Sequence, residues 1–464
     1  MHKRTLALLV GLGIAGTACK DSTSVPDLNN ISAETALANG LTPTVLQLLA
    51  TGLVNASRSE LDGRYLVFTE TMARDFYRLD NAENRYITEL IGTAPADYSA
   101  FTGGGAFTNM YVTIRSGNTI LNNLASATFL WPAEVSATKG FVQTMKALSY
   151  YRVLETRDTL GIAFDVNHPV NDPPAQFECK PNVLAEISAL LDSANTNLVA
   201  AGAAAFPFAL PSGFSGFNTP ATFAKFNRGL KGKVEVYRAL PQGNRTKATG
   251  TAGFNAALAA INASFASPSA PMNLGPKYTY STASGDQTNP LADANIFLNP
   301  FVGDSIQAGD KRAAKIFPVT PKTLSNVTGR YKGTMTDPSG ALTQPIPILS
   351  NAELLLLRAQ AEIGLGQFAA ATADINAVRT ADGGLTPYLD FVDAASAIKA
   401  VLYEKRYSLL GQSAQRLVDL REYGLLNASA GPGRSNGDIF QSVLPIPKSQ
   451  FDTRNVTTIT PACP

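Results

Sequence analysis

The residues able to do chemistry are few. The chain has two histidines, His2 and His168, and three cysteines, Cys19, Cys179 and Cys463. A clustered His/Cys zinc site therefore has almost no raw material, and no metal or cofactor is expected. His168 sits between Asn167 and Pro169 with no serine or cysteine motif near it, which reads as a loop histidine and not a general base. Glu353, Glu362 and Glu404 share helix-like segments with Arg358, Arg406, Arg416 and Arg421, where ion pairs along and between helices are natural. A glycosidase needs two carboxyls about 5 to 9 Å apart across a cleft, and linear spacing identifies no such pair. No catalytic residue is assigned, and the chain is not read as an enzyme. Capture of a sugar asks for flat aromatic faces and planar polar groups. Tyr98 and Phe101, beside Gly103-Gly104-Gly105, are the candidate ligand contacts, with packing of the loop as the alternative. Phe206, Phe208, Phe214 and Phe217 read as core. Trp131, the one tryptophan, precedes Pro132 and Glu134 and reads as a staple at a helix start.

The cysteines also speak to location. Met1-His2-Lys3-Arg4 is followed by a short apolar run to Thr17, then Ala18-Cys19. That run spans roughly 20 Å as a helix, short of the ~30 Å hydrocarbon core, so residues 1–18 read as a cleaved export signal. Gly11-Leu12-Gly13-Ile14-Ala15-Gly16 matches a dinucleotide-binding fingerprint in letters only, because it lies inside this signal. Gly16-Thr17-Ala18-Cys19 resembles a bacterial lipobox, which makes Cys19 an acylated anchor and residues 19–30 its tether. Cys179 and Cys463 then face an oxidising space, either bonded or as two free thiols.

These residues must be positioned by a frame of ordinary globular composition. The 464 residues include 38 Lys+Arg against 36 Asp+Glu, with 45% apolar and 16% charged residues, so no basic stripe for nucleic acid exists. Apolar residues recur at helical spacing in pairs of segments, around 137–199, 221–263, 351–380 and 394–424. Gly366-Gln367-Phe368, then Ala371, Ile375 and Val378, resemble the second helix of a tetratricopeptide repeat. Long Gly/Pro/Ser-rich connections fall at 92–105, 201–220, 267–300 and 308–350, where a helical frame meets ligands. The expected fold is mainly α: an irregular tetratricopeptide-like scaffold of helical pairs with long loop-rich ligand-binding segments and minor β-hairpins, forming one domain over 31–464.

A series of motifs gives this frame a likeness. Ala352-Glu353-Leu354-Leu355-Leu356-Leu357-Arg358, Ala377-Val378-Arg379, Tyr403-Glu404-Lys405-Arg406-Tyr407, Val418-Asp419-Leu420-Arg421 and Leu444-Pro445-Ile446-Pro447 follow one another in order. Upstream stand Tyr111-x-x-Ile114-x-x-x-Asn118 and Ala147-Leu148-Ser149-Tyr150-Tyr151-Arg152. Together with the lipobox, the series resembles the SusD/RagB outer-membrane lipoproteins. The resemblance implies a lipid-anchored, cell-surface protein that binds a nutrient, typically a glycan or oligosaccharide, and delivers it to a SusC-like TonB-dependent transporter. The tetratricopeptide-like half would pack on the transporter and the irregular loops would hold ligand. Relatives commonly keep tryptophan-rich ligand loops, and Trp131 standing alone argues against broad aromatic stacking on a polysaccharide. A surface glycan-degrading enzyme and a purely structural tetratricopeptide-type scaffold are the alternatives.

Overall fold

Helix starts along the chain are set by local side chains. In the computed structural model, which describes residues 35, 37–62, 64–169, 171–240, 248–427 and 438–463, α1 (Pro43–Ser59) begins where the Thr42 hydroxyl accepts the Val45 N–H at 3.3 Å and Pro43 fixes the first turn. The export segment 1–18, Cys19 and the tether 19–30 lie outside the described residues. α2 (Leu66–Met72) and α3 (Thr108–Asn123) follow. α4 (Pro132–Arg157) starts with the Glu134 carboxylate accepting the Trp131 N–H at 2.9 Å. Only the backbone of Trp131 takes part, and its indole is 74% exposed, so it is no staple. The stapling position is the residue before the cap, and Leu130 there does pack against the core.

α5 (Lys180–Ala200), α6 (Pro220–Ala239), α7 (Gly250–Asn262), α8 (Asn351–Gly364), α9 (Phe368–Ala381) and α10 (Ala394–Ser408) complete a serial stack. From α4 to α10 each helix packs on the next, while α3 packs on both α1 and α4. This is how hairpin repeats bury faces that none could bury alone. α11 (Gln415–Glu422) packs against α2 and α10, and the short α12 (Lys448–Arg454) lies near the C-terminus.

The β-structure fills the long connections. β1 (Phe76–Arg78), β5 (Ile296–Leu298), β7 (Val327–Gly333) and β6 (Ile316–Leu324) form one antiparallel sheet in that spatial order. β6 and β7 are a hairpin whose tip, Ser325-Asn326, has φ of 48° and 63°, the left-handed pair that a two-residue turn requires. β2 (Ile162–Ala163) pairs with β3 (Phe177–Glu178) across one loop, and β4 (Lys277–Tyr278) with β8 (Ile346–Pro347), which joins segments distant in sequence.

The core is apolar with buried ion pairs threaded through it. Phe206, Phe208, Phe214 and Phe217 are buried, the first two against Phe141. The acids and bases of the C-terminal helices hold elements together: Arg312 and Arg379 bracket Glu404 at 2.7 and 2.9 Å, Lys233 meets Glu353 at 2.9 Å, and Lys405 meets Asp419 at 2.9 Å. Such pairs would leave a costly unpaired charge if broken.

Candidate functional site

The two aromatic residues singled out in the sequence part company. Tyr98 is 59% exposed, its ring edge-on to Phe451 of α12 at 5.5 Å. Phe101 is 5% exposed and sits between the rings of Phe68 and Tyr86, each 4.9 Å away, with the Arg85 guanidinium 4.4 Å above it. Phe101 is a core residue with no free face, and its assignment as a ligand contact is corrected. The cause is the glycine triplet beside it. Arg157, buried at the end of α4, donates to the carbonyls of Gly103, Gly105 and Ala106, the latter two at 3.1 and 3.0 Å. That gathers the loop inward and carries Phe101 with it.

A polar recess of about 490 Å3 opens instead where the end of α1, the first turn of α3 and the loop after β4 meet. Arg58, Asp62, Asn109, Tyr280, Asp286 and Gln287 line it. Arg58 donates to the Thr279 carbonyl at 2.9 Å and to Asp286 at 2.7 Å. The Gln287 amide donates to the Ser59 hydroxyl at 3.0 Å, and the Asn109 amide to the Ser59 carbonyl at 3.0 Å. Among the described residues the Arg58 Nε and Tyr280 Oη atoms have no hydrogen-bond partner. The two acids are tuned in opposite directions. Burial pushes the Asp62 carboxyl up, against the N–H groups of Arg64 and Tyr65, whereas the Gln287 N–H and then Arg58 hold Asp286 below the usual carboxylate range. A guanidinium, two carboxyls and two side-chain amides within one concavity are the planar donors and acceptors that adjacent hydroxyls pair with.

α3 is a shared wall. Its Tyr111 and Arg115 line a second depression of about 390 Å3, with Gln450 and Arg454 of α12 opposite. His168 borders it as a half-buried loop residue, its Nδ1 within 3.1 Å of the Pro169 carbonyl. Tyr98 stands beside this depression through Phe451 and lines neither concavity. No group of three or more His, Cys, Asp or Glu side chains that could hold a metal ion occurs among the described residues. Cys179 and Cys463 are disulfide-bonded, with Cα atoms 5.4 Å apart.

The recess was not readable from the sequence because Arg58 and Asp286 are separated by 228 positions and belong to no motif. Only Asn109 lies near a recognisable pattern, two residues before Tyr111.

No family model matches the chain, and no curated protein matches it either. Solved structures do. A SusD superfamily protein from Parabacteroides distasonis superposes with a TM-score of 0.69 at 13% identity, over 89% of this chain and 98% of the other. NanU of B. fragilis gives 0.65 at 15% identity, over 94% and 99% of the two chains. A laminarin-binding SusD-like protein gives 0.64 at 16%, over 90% and 98%. Near-complete coverage of each neighbour by a serial helical stack shows that the chain shares the fold of the solved SusD-superfamily structures.

Proposed function

We propose that this protein captures a saccharide at a cell surface, anchored to the outer membrane through a lipidated Cys19, and passes it to a SusC-like TonB-dependent transporter without chemical change. The observation that carries the reading is the polar recess between α1, α3 and the loop after β4, a concave cluster of planar hydrogen-bonding groups on a fold whose matched neighbours include a laminarin-binding protein. No helix among the described residues is long and apolar enough to cross a membrane, which fits attachment by acyl chains. The ring of Tyr280 is almost wholly buried, so recognition rests on hydrogen bonds more than stacking and favours a short oligosaccharide over a long polymer.

The test is calorimetric titration of the mature chain with a panel of oligosaccharides, including laminarin fragments, beside affinity purification of the lipidated protein from membranes. Binding without product release, together with a co-purifying β-barrel, is the expected result. Absence of any saccharide binding would overturn the capture reading, and absence of a barrel the transport reading.

One observation favours a second reading, hydrolysis. Asp62 and Asp286 put two carboxyls on the same recess, the second of them paired with Arg58 at 2.7 Å. Reducing-sugar release by the isolated chain, lost in Asp62→Asn, would establish it. Capture alone predicts no release.

A further inference from the structure

The surface formed by α10, α11 and the residues after α11 holds a cavity of another kind. It is an open hollow of about 800 Å3 lined by Phe301, Ile398, Leu402, Leu420 and Leu425, and it shares no residue with the polar recess. A volume of this order suits a small organic molecule.

Two guanidinium groups line this apolar space, and they differ. Arg406 donates from Nε and Nη2 to one oxygen of Asp75, at 2.9 and 2.6 Å, and lies over the Phe301 ring at 4.9 Å. Arg416 is only 14% exposed, yet among the described residues it donates no hydrogen bond, and its Nε is a buried donor without a partner. Its nearest carboxylate contact is the other oxygen of Asp75 at 3.9 Å, too long for a hydrogen bond.

The neighbouring acids do not make up the deficit. Glu70 accepts the Gly411 N–H at 3.1 Å with one oxygen and leaves the other unpaired. Burial, with the Asp75 charge adding to it, pushes its carboxyl well up, towards the neutral form. Asp419 is taken by Lys405 at 2.9 Å. Two guanidinium charges, with Lys399 on the exposed rim, thus face the Asp75 carboxylate and a Glu70 carboxyl that burial holds towards its neutral form. Arginine does not shed its proton, so what the site lacks is an acceptor. Buried polar groups are nearly always hydrogen-bonded, and a planar two-oxygen anion matches the guanidinium fork.

We infer that this cavity is a binding site for an amphipathic monocarboxylate, its carboxylate paired with Arg416 and its aliphatic chain laid against Ile398, Leu402 and Leu420. The site is independent of the saccharide recess, and neither reading depends on the other.

Titration of the mature chain with decanoate and with decan-1-ol, which have equal chains and differ in charge, tests the inference. One decanoate should bind per chain, at least about tenfold more tightly than the alcohol, which corresponds to about 1.4 kcal/mol. Arg416→Gln should erase the preference for the acid and leave alcohol binding in place. Ala395→Trp, on the exposed rim of the cavity, blocks the space without touching the charged cluster and should weaken both ligands. It carries the test if Arg416→Gln does not fold. Equal binding of acid and alcohol, no binding of decanoate, a preference retained in Arg416→Gln, or full decanoate binding in Ala395→Trp would each overturn the site. Saccharide titration of the same variants should be unchanged.

Discussion

Asn109 and Gln287 both spend amide donors on Ser59, and both reach the recess from mobile-sounding sequence: the first turn of a helix and the middle of a polar loop. A neutral hydrogen bond contributes about 1 kcal/mol, so Asn109→Ala and Gln287→Ala should each weaken saccharide binding roughly fivefold in calorimetry and leave the melting temperature almost unmoved. Unchanged affinity in both would remove the recess as the binding site. Arg157 makes a sharper prediction. It has no carboxylate partner and is pinned by loop carbonyls, so Arg157→Met leaves the Gly103 and Gly105 carbonyls unpaired and Ala106 with only the Thr156 hydroxyl at 3.4 Å, and should cost about 2–3 kcal/mol. Amide exchange across residues 98–107 should accelerate in step, and protection of that loop retained in the variant would refute its role as clasp. Arg157 also explains which side chains could be read from the sequence. Three consecutive glycines suggest a flexible loop offering its aromatics, and nothing local announces an arginine 54 positions away that draws the loop in. Tyr98 stayed outside because it packs on Phe451, and Phe101 went in. The buried role of the four phenylalanines at 206–217 was legible, since apolar rings this dense have nowhere else to go.

Pairs of helices were legible for a similar reason: a repeating apolar stripe of period 3.6 must be covered, and short breaks leave only the neighbouring helix to cover it. Residues 267–350 were not, because β4, β5 and β8 are only two or three residues long, β6 carries Pro318 and a register shift before Lys322, and β5 pairs with β1 more than 200 positions away. Two neighbouring glycines do different work, Gly364 where α8 meets α7 and Gly366 in the turn to α9. A Cβ on Gly364 would lie 2.3 Å from the Phe254 ring, whereas one on Gly366 would meet nothing but a backbone with φ of +73°. Gly364→Ala should therefore cost about 1–3 kcal/mol by overpacking, and Gly366→Ala about 1 kcal/mol by backbone strain alone. Urea unfolding of the two variants separates the mechanisms, since only the first should respond to a compensating Phe254→Leu. The α8–α9 pair also carries a titration. Arg358 gives two hydrogen bonds to Asp374, at 2.5 and 2.6 Å, and a third to the Asn262 side chain at 3.3 Å, and Glu362 is left without one on Oε2. Burial, reinforced by Asp374 and opposed by Arg358, lifts its carboxyl to about 7 from an ordinary 4.5. The folded state holds this proton more tightly than the unfolded chain, so its stabilising effect is full below about pH 4.5 and disappears as pH rises through about 7. Glu362→Gln, locked neutral, should raise the melting temperature at alkaline pH and change it little near pH 4.5. Equal shifts at both would show that the side chain, and not its charge, matters.

At the scale of the molecule, the two ends of the chain are bound into one body by contacts that no local pattern could reveal. Arg406 holds Asp75 across 331 positions, and Lys180 is buried between Asp158 and Glu422, 242 positions on from the lysine. The covalent member of this set is Cys179–Cys463, with 284 positions between its ends. The C-terminal segment it holds has few other ties: the Cys179 N–H donates to the Ala462 carbonyl at 3.0 Å, the Ala462 N–H to the Phe177 carbonyl at 2.7 Å, Ile459 packs on the core, and most residues from 452 onward are exposed. Two backbone hydrogen bonds contribute only about 1–3 kcal/mol and cannot by themselves order a terminal segment of that length. A cross-link closing so long a loop restricts the unfolded chain by an upper estimate of about 5 kcal/mol. Cys463→Ser should accordingly lower the melting temperature by several degrees and expose residues 455–463 to carboxypeptidase, while saccharide binding at the recess between α1 and α3, which touches none of these residues, persists. The oxidised protein, denatured without reductant, should show no free thiol at positions 179 and 463. Two thiols there, or a Cys463→Ser variant as stable and as protease-resistant as the parent, would mean that the C-terminus is held by its hydrogen bonds alone.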